Sequence, residues 1–323
     1  MIVTRNLLGR RVWVPAVLAC VLVGCGPDLQ DPPPPRAMEQ LRLVEQHLSR
    51  RSYDEAIREA ELAERIAPNS FTVKMTVARV YRERGWTERA IAKYVEADEL
   101  DSSKGTAQQE IGRILIDQRR FAEAHEALDE AVSENDGLSE SHLLKGLALM
   151  MQSRNSDASQ AFQECLRVDG RRHDAYVFMG VIELRNGYFD EAEKQLRTAL
   201  TISSQDPLAR HYLGETYLRQ KRYDRAEVEL KQAASSNAEI AESYYYLLGL
   251  PYHAADRRYA ARRRLKGDSY TLLGVAYKEM GKAQHARGCW RKAVDQDPKN
   301  EAARKWLRSI EDDISRGKGS MTD

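Results

Sequence analysis

Cysteines, histidines and paired acids are the residues of this chain that could do chemistry, and their spacing decides how far each can be taken. His47, His125, His142, His173, His211, His253 and His285 are scattered. No two stand three or four residues apart, as two metal ligands on one helix face would. The acidic pairs Asp54-Glu55 and Asp190-Glu191 fall where helices are expected to begin, and there they meet the positive end of the helix dipole. The chain has no glycine-rich phosphate loop, nucleophile elbow or paired-cysteine motif. The expectation is a protein that is not an enzyme, with no catalytic residue, no metal ligand and no cofactor. A net charge of +1 from 50 basic and 49 acidic residues also argues against a nucleic-acid partner, which calls for a basic excess.

Cys25 is the thiol with distinctive surroundings. Residues 1–24 carry Arg5, Arg10 and Arg11 and no acid, and an apolar run from Val12 to Val23 ends in the small Gly24. That run is too short to span a bilayer as a helix and reads as part of a secretion signal. Removing it leaves a chain of net charge −2. The run Leu22-Val23-Gly24-Cys25 resembles the lipobox of bacterial lipoproteins. The resemblance implies a diacylglyceryl group on the Cys25 sulfur, cleavage before it and acylation of the new amine, so that acyl chains hold the protein on a membrane. Residues 25–36, from the lipidated cysteine through a Pro-rich stretch, read as a stiff tether. Gly26 rather than Asp follows the cysteine, which by resemblance to proteobacterial lipoproteins implies the periplasmic face of the outer membrane. Cys165 and Cys289 are too far apart for a disulfide in a regular array, and their positions could bury them as free thiols.

The body of the chain must position whatever binds there, and it is periodic. Ala56, Ala90, Ala124, Ala158, Ala192 and Ala226 recur every 34 residues. Gly112, Gly146, Gly180 and Gly214 keep the same interval with Ala78 one step earlier, and Ala63, Ala97, Ala131, Cys165, Ala199 and Ala233 form a third column. Small residues in phase let paired antiparallel helices approach closely. Larger residues such as Tyr94, Leu128, Phe162, Leu196 and Leu230 lie between them. A composition of 42% apolar, 31% charged and 7% aromatic residues suits such a helical body and not a disordered one.

This pattern resembles the tetratricopeptide repeat family over roughly residues 37–300. Tyr270, Leu273, Gly274, Tyr277, Gly281, Ala286, Trp290, Ala293 and Pro298 stand where that family places those residue types. The resemblance implies an all-α, right-handed superhelical solenoid of helix-turn-helix repeats. We read a signal at 1–24, the tether at 25–36, six regular repeats over 37–240, an irregular shortened repeat at 241–266, a consensus-like repeat at 267–300 and a capping helix with tail at 301–323. Ala260 and Ala286 are only 26 residues apart, so one unit is eight residues short, and a bend or partly unwound unit is expected there, where Pro251 interrupts a helix.

In this family five positions of each first helix face a groove. Carried over, they are charged in the second and third repeats (Met75, Arg79, Arg82, Glu83, Arg113, Asp117) and apolar in the fourth and fifth (Leu143, Leu147, Met150, Met151, Val177, Val181, Leu184). That combination suits an amphipathic client segment. A second candidate interface joins Tyr245, Tyr246 and Tyr252 to Arg258, Arg262 and Arg263. The implied function is a membrane-anchored scaffold for protein clients in envelope assembly, resembling the pilotins of type IV pilus and secretin biogenesis. Alternatives are an adaptor for peptidoglycan enzymes and a glycan-binding component of exopolysaccharide export. Client identity and oligomeric state are left open by the sequence.

Overall fold

Helices form where apolar residues recur at three- and four-residue intervals, because that spacing puts them on one face. The computed structural model describes residues 3–5, 11–13, 32–238, 240 and 257–315, with side chains for all but 3–5, 11–13, 102, 257, 258, 314 and 315. Fifteen α-helices lie among these residues: α1 (Pro35–Ser49), α2 (Tyr53–Ile66), α3 (Phe71–Arg84), α4 (Thr87–Leu100), α5 (Thr106–Asp117), α6 (Phe121–Glu134), α7 (Ser139–Met151), α8 (Asn155–Val168), α9 (His173–Asn186), α10 (Phe189–Ile202), α11 (Pro207–Arg219), α12 (Tyr223–Ser235), α13 (Arg257–Glu279), α14 (Ala283–Gln296) and α15 (Glu301–Ser315). Near the N-terminus β1 (Val3–Arg5) pairs antiparallel with β2 (Arg11–Trp13). No described helix is long and apolar enough to cross a membrane. The chain forms two units, residues 1–110 and 111–323.

Pairing within each repeat rests on one close approach. A Cβ added at Gly112 would meet Leu128 Cγ at 2.5 Å, one at Gly180 would meet Leu196 Cγ at 2.7 Å, and one at Gly214 would meet Leu230 Cγ at 2.6 Å. Gly146 lies in the same way against Phe162, and Gly274 against Trp290. In every case the large partner stands sixteen residues after the glycine. The first repeat reverses the sizes: Val44 takes the glycine position and Ala60 the partner position, and both are wholly buried. Volume is conserved across the pair, as a close-packed interior demands.

The turn between the paired helices is equally periodic. Arg51, Gly85, Arg119, Ser153, Gly187, Lys221 and Gly281 all have positive φ, between 57° and 88°. After each first helix the two capping bonds of a Schellman turn close, as in Gly85 N–H to Arg82 O and Trp86 N–H to Tyr81 O. The left-handed conformation suits Gly and strains a residue with a Cβ by roughly 1–2 kcal/mol. Four of the seven turns carry that strain.

In the first unit the second helix α2 and the pair α3–α4 share a charged cluster. Lys74 donates to Glu64 Oε1 at 2.6 Å and also to Glu96, and Lys93 donates to the same two carboxylates at 2.8 and 2.9 Å. Burial alone would raise the Glu64 pKa, but the two ammonium groups outweigh it and hold the carboxyl below its ordinary range. In the second unit the array ends on α15. Trp306 stacks on Trp290 at 5.5 Å, and Trp290 Nε1 donates to Thr271 O at 3.1 Å. This is the capping helix expected within 301–323, and it covers the apolar end of the last pair.

The left-handed turns generate a prediction. Arg119→Gly and Lys221→Gly should each raise stability by about 1 kcal/mol, and Gly187→Ala should lower it by a similar amount, read from urea midpoints.

Candidate functional site

First-helix positions expected to face a ligand are the natural place to look for a site, and the structure uses most of them internally. In the first unit Arg79 pairs with Glu45, and Arg82 pairs with Glu110 and lies 3.2 Å from Glu83. In the second, Arg113 Nη2 donates to Glu140 Oε1 at 2.9 Å. The Arg79–Glu45, Arg82–Glu110 and Arg113–Glu140 pairs each join one first helix to the next. Neighbouring first helices run side by side, so a long cationic side chain reaches the opposite charge on its neighbour. Arg82 and Arg113 keep only 12% of their side-chain surface exposed, so the arginines expected to line the groove instead tie the helices to one another.

The apolar positions are corrected in the same direction. Leu143, Leu147, Val177 and Val181 have no exposed surface, and Met150 and Leu184 are also buried. The reason is in α7 and α9 themselves, which are apolar around nearly their whole circumference and must bury all of it. Met151 alone among the seven stays half-exposed, with Met75 and Arg79 half-exposed in the first unit.

What remains open in the second unit is an edge. Met151, Arg185 and Arg219 occupy the last groove position of three successive first helices, and Arg185 and Arg219 are exposed. The position rule that selected Met151 also selects these two arginines, which the residue-by-residue reading passed over. Together they offer one adaptable apolar side chain and two cations.

The turns leading into α9 and α11 carry a polar cluster. Arg172 holds Asp174 through two bonds of 3.1 and 3.0 Å and reaches back to Glu140 at 2.7 Å. His173 Nε2 lies 3.1 Å from Asp206, whose carboxylate caps α11 by accepting from the Leu208 and Ala209 N–H groups at 2.8 Å. The bond to Asp206 raises the His173 pKa. His211, between α11 and α13, is its opposite. It is buried, its Nδ1 stands 2.9 Å from Ser269 Oγ, the Ser269 hydroxyl donates to Leu265 O, and burial pushes its pKa down to about 4.

Of the second candidate interface, Arg263 is structural. Its guanidinium donates to Gln296 O at 2.7 Å and Asp295 O at 2.9 Å, capping the last carbonyls of α14. Arg262 is half-buried, and Tyr259 beside it is 59% exposed. Tyr245, Tyr246, Tyr252, the Arg258 side chain and Cys25 lie outside the described residues. Cys165 and Cys289 are free and buried as expected, their thiols pushed up by burial to about 12 and about 11, which leaves them protonated and unreactive.

The tetratricopeptide repeat family matches residues 110–167, 143–207, 183–250 and 267–300. The chain is a tetratricopeptide repeat protein. Arrays of this kind bind proteins and peptides and are as a rule not enzymes. The fold is similar to a tetratricopeptide repeat protein from Parabacteroides merdae at 15% identity, covering 85% of this chain and 99% of that one with a TM-score of 0.59. It is also similar to Pseudomonas aeruginosa PilF (14% identity, 74% and 97% covered, TM-score 0.58). A third is PilW, a type IV pilus biogenesis factor (20% identity, 73% and 98% covered, TM-score 0.57). No curated protein matches the sequence.

The two histidines give stability opposite pH dependences. His173, raised above its unfolded value of 6.5, contributes stability that is complete below pH 6.5 and lost as pH rises through its folded pKa. His211, lowered to about 4, contributes nothing adverse above pH 6.5 and weakens the fold as pH falls toward 4, by roughly 3 kcal/mol in total. Urea midpoints between pH 4 and 9 should show His211→Asn flattening the acid limb and His173→Gln removing the loss on the alkaline side.

Proposed function

We propose that this repeat protein is a lipid-anchored scaffold on the periplasmic face of the outer membrane, and that its client belongs to the machinery of pilus or secretin assembly. The observation that carries the anchor is the sequence Leu22-Val23-Gly24-Cys25 behind a basic and apolar leader, with a Pro-rich tether after it. The choice of client draws on the fold shared with PilF and PilW over about three quarters of the chain. The anchor restricts the array to one surface and raises the effective concentration of a client held there.

On this reading the client meets the edge formed by Met151, Arg185 and Arg219, because the apolar first-helix positions beside it are already buried. The complementary client surface is acidic with an apolar contact for the methionine. The basic segment around Arg262, together with Tyr245, Tyr246, Tyr252 and Arg258, is the alternative surface. An adaptor for peptidoglycan enzymes uses the same edge with a different client.

Affinity capture from solubilised membranes tests the proposal with wild type, Cys25→Ala and the triple variant Met151→Glu, Arg185→Glu, Arg219→Glu. Wild type should retain a secretin or pilus protein and incorporate labelled palmitate. Cys25→Ala should lose the label and the membrane fraction, and the triple variant should lose the client while keeping its helical signal. Capture of peptidoglycan enzymes in place of pilus proteins would reassign the client. Undiminished capture by the triple variant would remove this edge from consideration.

A further inference from the structure

The regular repeats begin every 34 residues, but the repeats at 207 and 267 begin sixty apart, 26 more than the period. The contacts between these two can be compared with those between the repeats at 173 and 207, position by position. In the regular junction Tyr217, eleventh in its repeat, donates its hydroxyl to Glu193, twenty-first in the repeat before, at 3.2 Å. Arg222, sixteenth, reaches the same carboxylate at 2.5 Å and lies over the Tyr217 ring at 4.6 Å. Across the irregular junction Tyr277, again eleventh, donates to Glu227, again twenty-first, at 2.9 Å. Lys282, again sixteenth, stands 3.9 Å from that carboxylate and 5.7 Å from the Tyr277 ring.

Three positions and three kinds of contact are thus reproduced in register. The first helices α11 and α13 also touch directly, through His211 and Ser269. Lys266 Nζ donates to Asn237 Oδ1 at 3.1 Å, so the chain returns beside the place it left.

We infer that the repeats at 207 and 267 are immediate neighbours in the stack, and that residues 241–266 are an insertion spliced between them, dispensable for the stacking. Joining Ile240 to Gly267 restores the 34-residue interval. The C-terminal part of the insertion, residues 257–266, continues as helix into α13, burying Ala261 and Leu265, which accounts for the length of that helix.

Two measurements on the full chain test this. The variant lacking 241–266 should unfold in a single cooperative urea transition, with a midpoint lowered by the loss of Ala261, Leu265 and the Arg263 cap on α14 and with helical signal reduced by about the ten helical residues removed. A broad or two-step transition, in which the last repeat unfolds by itself, would overturn the inference. The second measurement uses the intact chain and does not depend on the deletion folding. A double-mutant cycle on Tyr277→Phe and Glu227→Gln should show coupling of about twofold or more in the unfolding constant, matching the cycle on Tyr217→Phe and Glu193→Gln. Coupling at the second pair with none at the first would mean that the two junctions differ and the inference is wrong.

Discussion

Two antiparallel helices can pack with their axes close only where one gives up its side chain and the other fills the space. Five of the described repeats are built around that constraint. Gly112, Gly146, Gly180, Gly214 and Gly274 leave no room for a Cβ against Leu128, Phe162, Leu196, Leu230 and Trp290. Once the close approach is set, the turn that precedes the second helix has little freedom, and it closes as the same left-handed cap in seven places even where Arg, Ser or Lys must adopt it. The strain at those residues is offset by a packing core that would be lost if the helices moved apart.

The second consequence concerns charge. With first helices held side by side, a guanidinium at the middle of one helix finds a carboxylate on the next before it finds solvent. Arg79, Arg82 and Arg113 therefore work as ties within their units. Apolar residues on α7 and α9 are buried for a related reason, since helices with apolar residues on every side cannot leave one face in water. The first-helix positions that still meet solvent are at the helix ends, at Met151, Arg185 and Arg219.

Polar burial is concentrated where repeats join. Asp206 caps α11 and raises the His173 pKa in the same stroke, whereas burial lowers that of His211, whose ring meets the Ser269 hydroxyl. Two imidazoles in successive repeats are thus biased in opposite directions. The junction that holds His211 is also the one from which residues 241–266 depart, yet its ion pair and ring contact repeat those of the regular junction.

Much of the fold could be read from spacing alone. Columns of Ala and Gly at 34-residue intervals, the larger residue sixteen positions after each glycine, the buried free cysteines and the capping helix with Trp306 are local patterns, and helix pairing within a repeat depends on little else. The exchange of Val44 for glycine, compensated by Ala60, is visible in the same columns once their pairing is known. Tertiary structure alone decided which charges pair across repeats, which apolar positions close, and which repeat follows the one at 207. Those depend on helices that are neighbours in space but separated by tens of residues in the chain. A period describes each helix's own faces, whereas the surface left open is set by what packs against them.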